Sequence, residues 1–257
     1  MEILWFKTLS LLAIFFTGLL AGLAPKRIGV SERGNQQLIL SNAFSAGIFL
    51  GAGLLHMLPD AQENFQAYAG EIDFPFPTLI AGIGFILILL LEKAALKGKE
   101  DVSGISRDRL FYPLVLSLVL SVHSIIAGIS LGLEATLLSA TAIFIAIIAH
   151  KGAAAFALGV SLKEGNFTTY HYVIIIGFFA IMTPLGLGLG VVFSSNLSNN
   201  SSAGFEALFD ALAAGTFLYI AVVDIMEEVF KKPSYRWVKV LLISSGFSLM
   251  ALIAIWA

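Results

Sequence analysis

The chain has 257 residues, 58% of them hydrophobic and 12% charged, whereas a soluble domain carries about 25% charged residues. With a mean hydropathy of +0.92, it reads as an integral membrane protein whose apolar surface is solvated by a lipid bilayer. A formal net charge of −2 leaves no basic excess to neutralise phosphates and argues against a nucleic-acid partner, and the absence of cysteine excludes disulfides, thiolate zinc sites and iron–sulfur clusters.

A spanning helix needs about 20 mostly apolar residues at 1.5 Å rise each. Eight stretches qualify, at approximately 3–24, 38–59, 76–95, 111–133, 136–162, 171–193, 207–230 and 236–256. Apolar runs of this length predict helices rather than the short alternating segments of a β-barrel. The expected fold is an all-α bundle of eight transmembrane helices, forming one domain over residues 1–257. The first run lacks a basic leader, and Lys26 and Arg27 follow it, so it is read as a retained span rather than a signal peptide.

In the second span, His56 and Asp60 are four residues apart and share a helix face. Placed at the outer end, they read either as a metal-collecting entrance or as an interfacial polar cap, with Pro59 complicating the helix geometry there. The third span carries Glu92 towards its cytoplasmic end.

The fourth and fifth spans hold the costliest groups. His123 and Ser124 lie within one, and His150 and Lys151 within the other. A very short turn near Glu134 and Ala135 makes the two an antiparallel hairpin. Counted from that turn, His123 and His150 lie roughly 15 and 21 Å deep, close to the bilayer centre. Ionisable groups at such depth usually mark a pathway or site. Two neutral imidazoles suit Zn²⁺, Cu²⁺, Fe²⁺ or Ni²⁺ better than Mg²⁺ or Ca²⁺. The bland alternative is that each histidine bonds a backbone carbonyl or hydroxyl and tightens the bundle.

His171 opens the sixth span near the inner surface, and a glycine-rich run after Pro184 is expected to bend that span. In the seventh, Asp224 lies roughly 26 Å from the outer start. It reads either as a group releasing a cation inward or as a carboxylate at the inner interface. Glu227, Glu228, Lys231 and Lys232 form a solvated helix end. By depth, neither His56 nor His171 should reach the central histidine pair. Small residues recur four apart at Gly18/Gly22, Gly47/Gly51, Ser124/Gly128/Gly132, Ala155/Gly159 and Gly186/Gly190, the spacing that lets helix backbones approach closely in lipid.

Lysines and arginines concentrate in alternate loops. Lys26, Arg27 and Arg33 follow the first span, Lys97, Lys99, Arg107 and Arg109 the third, Lys163 the fifth, and Lys231, Lys232 and Arg236 the seventh. The other loops carry none. Under the positive-inside rule, both termini lie outside the cytoplasm.

The same residues carry a family resemblance. HSIIAGISLG in the fourth span resembles the signature of the ZIP family of divalent-metal transporters, in its plant and animal zinc/iron branch. AGIFLGAGLLHMLPDA in the second span, GFILILLLEKAAL in the third and AAGTFLYIAVVDIMEE in the seventh are similar to the family's corresponding segments. His150-Lys151 resembles the start of the fifth-span motif in an animal subgroup. The resemblance covers nearly the whole chain, and the family's topology is also eight spans with both termini outside.

It implies transport of Zn²⁺, or of Fe²⁺ or another divalent metal, into the cytoplasm. The ion would pass a site shared by the fourth and fifth spans. It would be substrate rather than a prosthetic group. His123 and His150 match the primary metal site, and Ser124 and Lys151 match a second, adjacent site in some members. The Lys151 ammonium would take that second place, leaving a one-metal site. The chain departs from the family at Ala127 and Ala154, where members commonly carry glutamate at one or both positions. Either Asp224 or Glu92 completes the site, or water and Ser124 do, or transport is impaired. The loop after the third span also lacks the family's histidine cluster.

A cell-surface membrane is the expected location, and the small-residue faces are compatible with a homodimer. Two other readings compete. An intramembrane zinc hydrolase would need about three protein ligands and an open position. A non-metal carrier would be built on Lys151.

Overall fold

A computed structural model describes residues 2–28, 31–90, 107–193, 199–231 and 233–255. Glu92 and most of the basic loop after the third expected span lie outside the described residues. Among the described residues ten α-helices run in order: α1 Glu2–Leu23, α2 Glu32–Ala52, α3 Leu58–Ala69, α4 Phe76–Leu90, α5 Arg107–Leu133, α6 Leu137–Glu164, α7 Thr169–Phe193, α8 Asn199–Tyr219, α9 Glu227–Lys231 and α10 Arg236–Ile253. Among the described residues there is no strand. A π turn at Gly53–Met57 joins α2 to α3, and another at Ile220–Met226 joins α8 to α9. Among the described residues seven continuous helical segments are long and apolar enough to cross a membrane, and α4 is a shorter apolar helix within its described portion.

The packing is apolar-out. On α1, Lys7, Ser10, Ile14, Gly18 and Gly22 are buried, while Leu4, Trp5, Leu9, Phe16 and Leu20 are exposed. On α10, Lys239, Gly246 and Met250 face inward, and Trp237 and Leu241 face outward. Lipid tails are as apolar as leucine, so burying leucine against another helix gains little, and small residues at close contacts decide which faces meet.

Two sub-bundles result. In the first, α5 packs chiefly on α7, and α1 lies against α6 and α7. In the second, α10 packs on α2, and α8 packs on α3 and α4. The α5–α7 seam leaves no room beside its glycines: a Cβ on Gly128 would strike the Thr183 carbonyl oxygen, and one on Gly186 the Ile125 carbonyl oxygen.

Polar ends are satisfied within the bundle. Ser31 accepts from the Gly34 amide at the start of α2, and Thr136 accepts from Ser139 at the start of α6. The buried Lys7 ammonium donates to the Gly132 and Glu134 carbonyls at 2.6 and 2.8 Å, closing the end of α5, where helix carbonyls lack partners. At the other end of the bundle, Lys163 donates to the Pro25 and Ile28 carbonyls, and Tyr172 donates to Gly22 at 2.8 Å. α7 remains one helix with Pro184 inside it.

A candidate metal path between the sub-bundles

His123 on α5 and His150 on α6 lie at matching depth across the hairpin, as the spacing predicts. Both are buried, and their ring centroids are 5.7 Å apart. The third imidazole comes from the other sub-bundle: His56 lies 5.2 Å from His150. Two imidazoles sharing a tetrahedral zinc at the usual Zn–N length have ring centres roughly 5 Å apart, so both spacings suit a shared ion.

The position of His56 corrects the expectation that it sits near the outer surface, out of reach of the pair. That expectation ended the span at residue 59. The helix instead runs unbroken from Glu32 to Ala69, which leaves His56 about 20 Å from its end. Pro59 does not stop it, because the preceding π turn, with the Leu58 amide bonded to the Gly53 carbonyl, widens the backbone where the proline ring would crowd the helix. Proximity to His150 also removes the distance argument against a third histidine ligand.

Carboxylates flank the imidazole row. His56 Nδ1 lies 2.9 Å from Asp60 Oδ2, one turn along the same face. His123 Nδ1 lies 3.7 Å from Oδ1 of Asp210 on α8. The Phe217 ring, two turns further along α8, packs edge-on against His123 at 5.8 Å. The groups follow one another as Asp60, His56, His150, His123 and Asp210. Among the described residues, no three His, Asp or Glu side chains already converge as a metal-holding group, so the row presents neighbouring pairs. His123 Nδ1 and Nε2 and His150 Nδ1 are buried without hydrogen-bond partners.

Beside the histidines is a small cavity with room for about one water molecule, with Lys151, Ala127 and Ala154 in its wall. Lys151 is 2% exposed. Its ammonium donates to Ser124 Oγ, the Phe179 carbonyl and Thr183 Oγ1, each at 3.0 Å. It also lies 3.6 Å from the Phe179 ring centre, within cation–π range. Three acceptors use all three ammonium donors. Gly18 makes room for this arrangement, since a Cβ there would stand 3.2 Å from Lys151 Cε. Lys151 and Ser124 are therefore partners of each other rather than two groups aimed at the histidines.

The remaining candidates lie elsewhere. Asp224 is half-buried in the second π turn, four helical turns beyond Asp210 and about 20 Å along the axis. His171 is exposed at the start of α7 and bonds the Thr168 hydroxyl at 2.8 Å.

Against this geometry, the comparisons with known proteins are decisive for the family. The family model described as ZIP zinc transporter matches residues 4–107 and 97–254. The chain belongs to the ZIP zinc transporter family. It is 30% identical to zinc transporter ZIP2 of Mus musculus, across 96% of each chain. It is 29% identical to zinc transporter ZIP1 of Takifugu rubripes, across 95% of this chain and 96% of that one. Zinc transporter 3 of Arabidopsis thaliana shares 32% identity, over 85% of this chain and 74% of its own length.

In this ZIP chain, reading the residues alone missed Asp210, Phe217, Phe179 and Thr183. Asp210 had a visible signal. It is a carboxylate inside an apolar stretch, with Glu206 one turn before it and Phe217 two turns after it on one helix face. Nothing local shows that this face meets His123. Thr183, the polar residue before Pro184, gives no indication that a lysine on α6 would reach it.

Proposed function

We propose that the chain carries a divalent metal ion, zinc foremost, across the bilayer and into the cytoplasm. The ion passes from imidazole to imidazole at the boundary of the two sub-bundles. The carrying observation is the row His56, His150 and His123, with ring centres 5.2 and 5.7 Å apart, in a chain whose relatives are named zinc transporters. Borderline-soft nitrogens suit zinc, and spreading them over pairs favours movement, because an ion held by a complete cage leaves slowly.

His123 and His150 form the central site, and His56 with Asp60 connects it to the outer side. Asp224 is the candidate group for inward release. Lys151, held by Ser124, stands where a second ion would otherwise sit and keeps the central site to one metal. The metal is substrate, and no prosthetic group is invoked. The lysine and arginine pattern supports extracytoplasmic termini, and the surface membrane is the proposed location. The small-residue faces suit a homodimer. Residues 1–257 act as one transport domain.

The test is radioactive zinc uptake into proteoliposomes by the wild type, His123→Ala and His150→Ala. Loss of uptake in both variants is expected, and wild-type uptake in both would refute the proposal.

A further inference from the structure

We infer that Asp210 is the anionic ligand of the transported ion, acting together with His123. This rests on the reading that the ion passes the His123–His150 pair. Two neutral imidazoles bring no negative charge to a dication that is losing its water. One helical turn beyond each histidine the cavity wall is Ala127 and Ala154, and the nearby cation, Lys151, adds positive charge. An anion must come from another helix, because a buried charge is tolerated only when paired.

Asp210 is the carboxylate in place to do this. Its Oδ1 is 3.7 Å from His123 Nδ1, with side chains only 12% and 7% exposed. That distance is too long for a hydrogen bond. It is close to the roughly 3.3 Å between two ligands on one tetrahedral zinc at normal bond lengths, so a shift of a few tenths of an ångström admits an ion between them. His123 offers the complementary half: neither ring nitrogen has a hydrogen-bond partner, although buried polar atoms are normally satisfied. In a neutral ring one nitrogen keeps a lone pair for a metal. Phe217 against the His123 ring holds this face of α8 towards α5. Asp60 is already engaged with His56 at 2.9 Å, and Asp224 is about 20 Å further along the helix.

The experiment is a Co²⁺ titration of the purified full chain, read by visible absorption, with zinc uptake in proteoliposomes alongside. Asp210→Asn keeps the side-chain shape and removes the charge. Metal affinity is expected to fall at least about tenfold with an altered Co²⁺ spectrum, while the metal-free protein unfolds within a few degrees of wild type. Adding Ala127→Glu to Asp210→Asn is expected to restore affinity, and Asp210→Glu to retain binding with a shifted spectrum. Asp210→Asn with wild-type affinity and spectrum overturns the inference. So does a variant that loses metal-free stability at unchanged affinity, which would make Asp210 only an ion-pair partner of His123. If His123→Ala abolishes binding while Asp210→Asn does not, the assignment of Asp210 alone fails. If His123→Ala also binds and transports normally, the transport path itself is wrong.

Discussion

The His56 ring lies 5.2 Å from that of His150, although the two belong to different sub-bundles. This one approach links the His56–Asp60 pair to the central histidines. It also makes the site depend on both halves of the molecule.

His56→Ala should therefore weaken zinc handling at the centre, beyond a loss of ion capture at the surface. The KM for zinc uptake is expected to rise about tenfold, with the protein still folded and monodisperse in detergent. A KM equal to that of the wild type would show that His56 is only a polar cap.

Lys151→Ala removes the donor from Ser124, Thr183 and the Phe179 carbonyl. Stranding buried acceptors costs about 1–3 kcal/mol each when nothing replaces the donor, so a lower thermal midpoint is expected. Uptake should persist with altered affinity or altered choice between zinc and cadmium, because the lysine is bonded away from the ion. Complete loss of uptake by a folded Lys151→Ala protein would assign the ammonium a direct part in transport.

Ala154→Glu places a carboxylate on the cavity wall one turn from His150. Zinc binding should tighten about tenfold or more and turnover should slow, since a more anionic site holds a dication longer. Calorimetric titration combined with uptake rates measures both effects. No gain in affinity would mean that a carboxylate on this part of the wall does not reach the ion.

Gly128→Ala tests the seam that positions His123. The added methyl meets the Thr183 carbonyl, and helix α5 must move away from α7. Overpacking of this kind costs about 1–3 kcal/mol. Thermal unfolding in detergent should show the loss, and uptake should fall with it, because α5 carries His123. A Gly128→Ala protein as stable and active as the wild type would mean that the seam is looser than its geometry indicates.

Labelling of tagged termini in intact cells with an impermeant reagent checks orientation. Both tags should react without permeabilisation. Protection of either one would reverse the reading of the loop charges.

Much of this was legible from the amino-acid order alone, because the bilayer makes its demands locally. Long apolar runs must become helices when no water is present to satisfy backbone groups, and a three-residue connection between α5 and α6 leaves no alternative to a hairpin. The matching depths of His123 and His150 follow from helix rise, and the small-residue spacing marked the faces that touch. Which faces meet is a property of the packed molecule, set within the first sub-bundle by backbone approaches such as Gly128 on Thr183. For that reason the contact of Asp210 with His123, the clasp of Lys151 by Ser124 and Thr183, and the approach of His56 to His150 appear only in three dimensions. His56 shows the reason most clearly. Its depth depended on whether Pro59 ended the helix, and the tertiary structure carries that helix through a π turn.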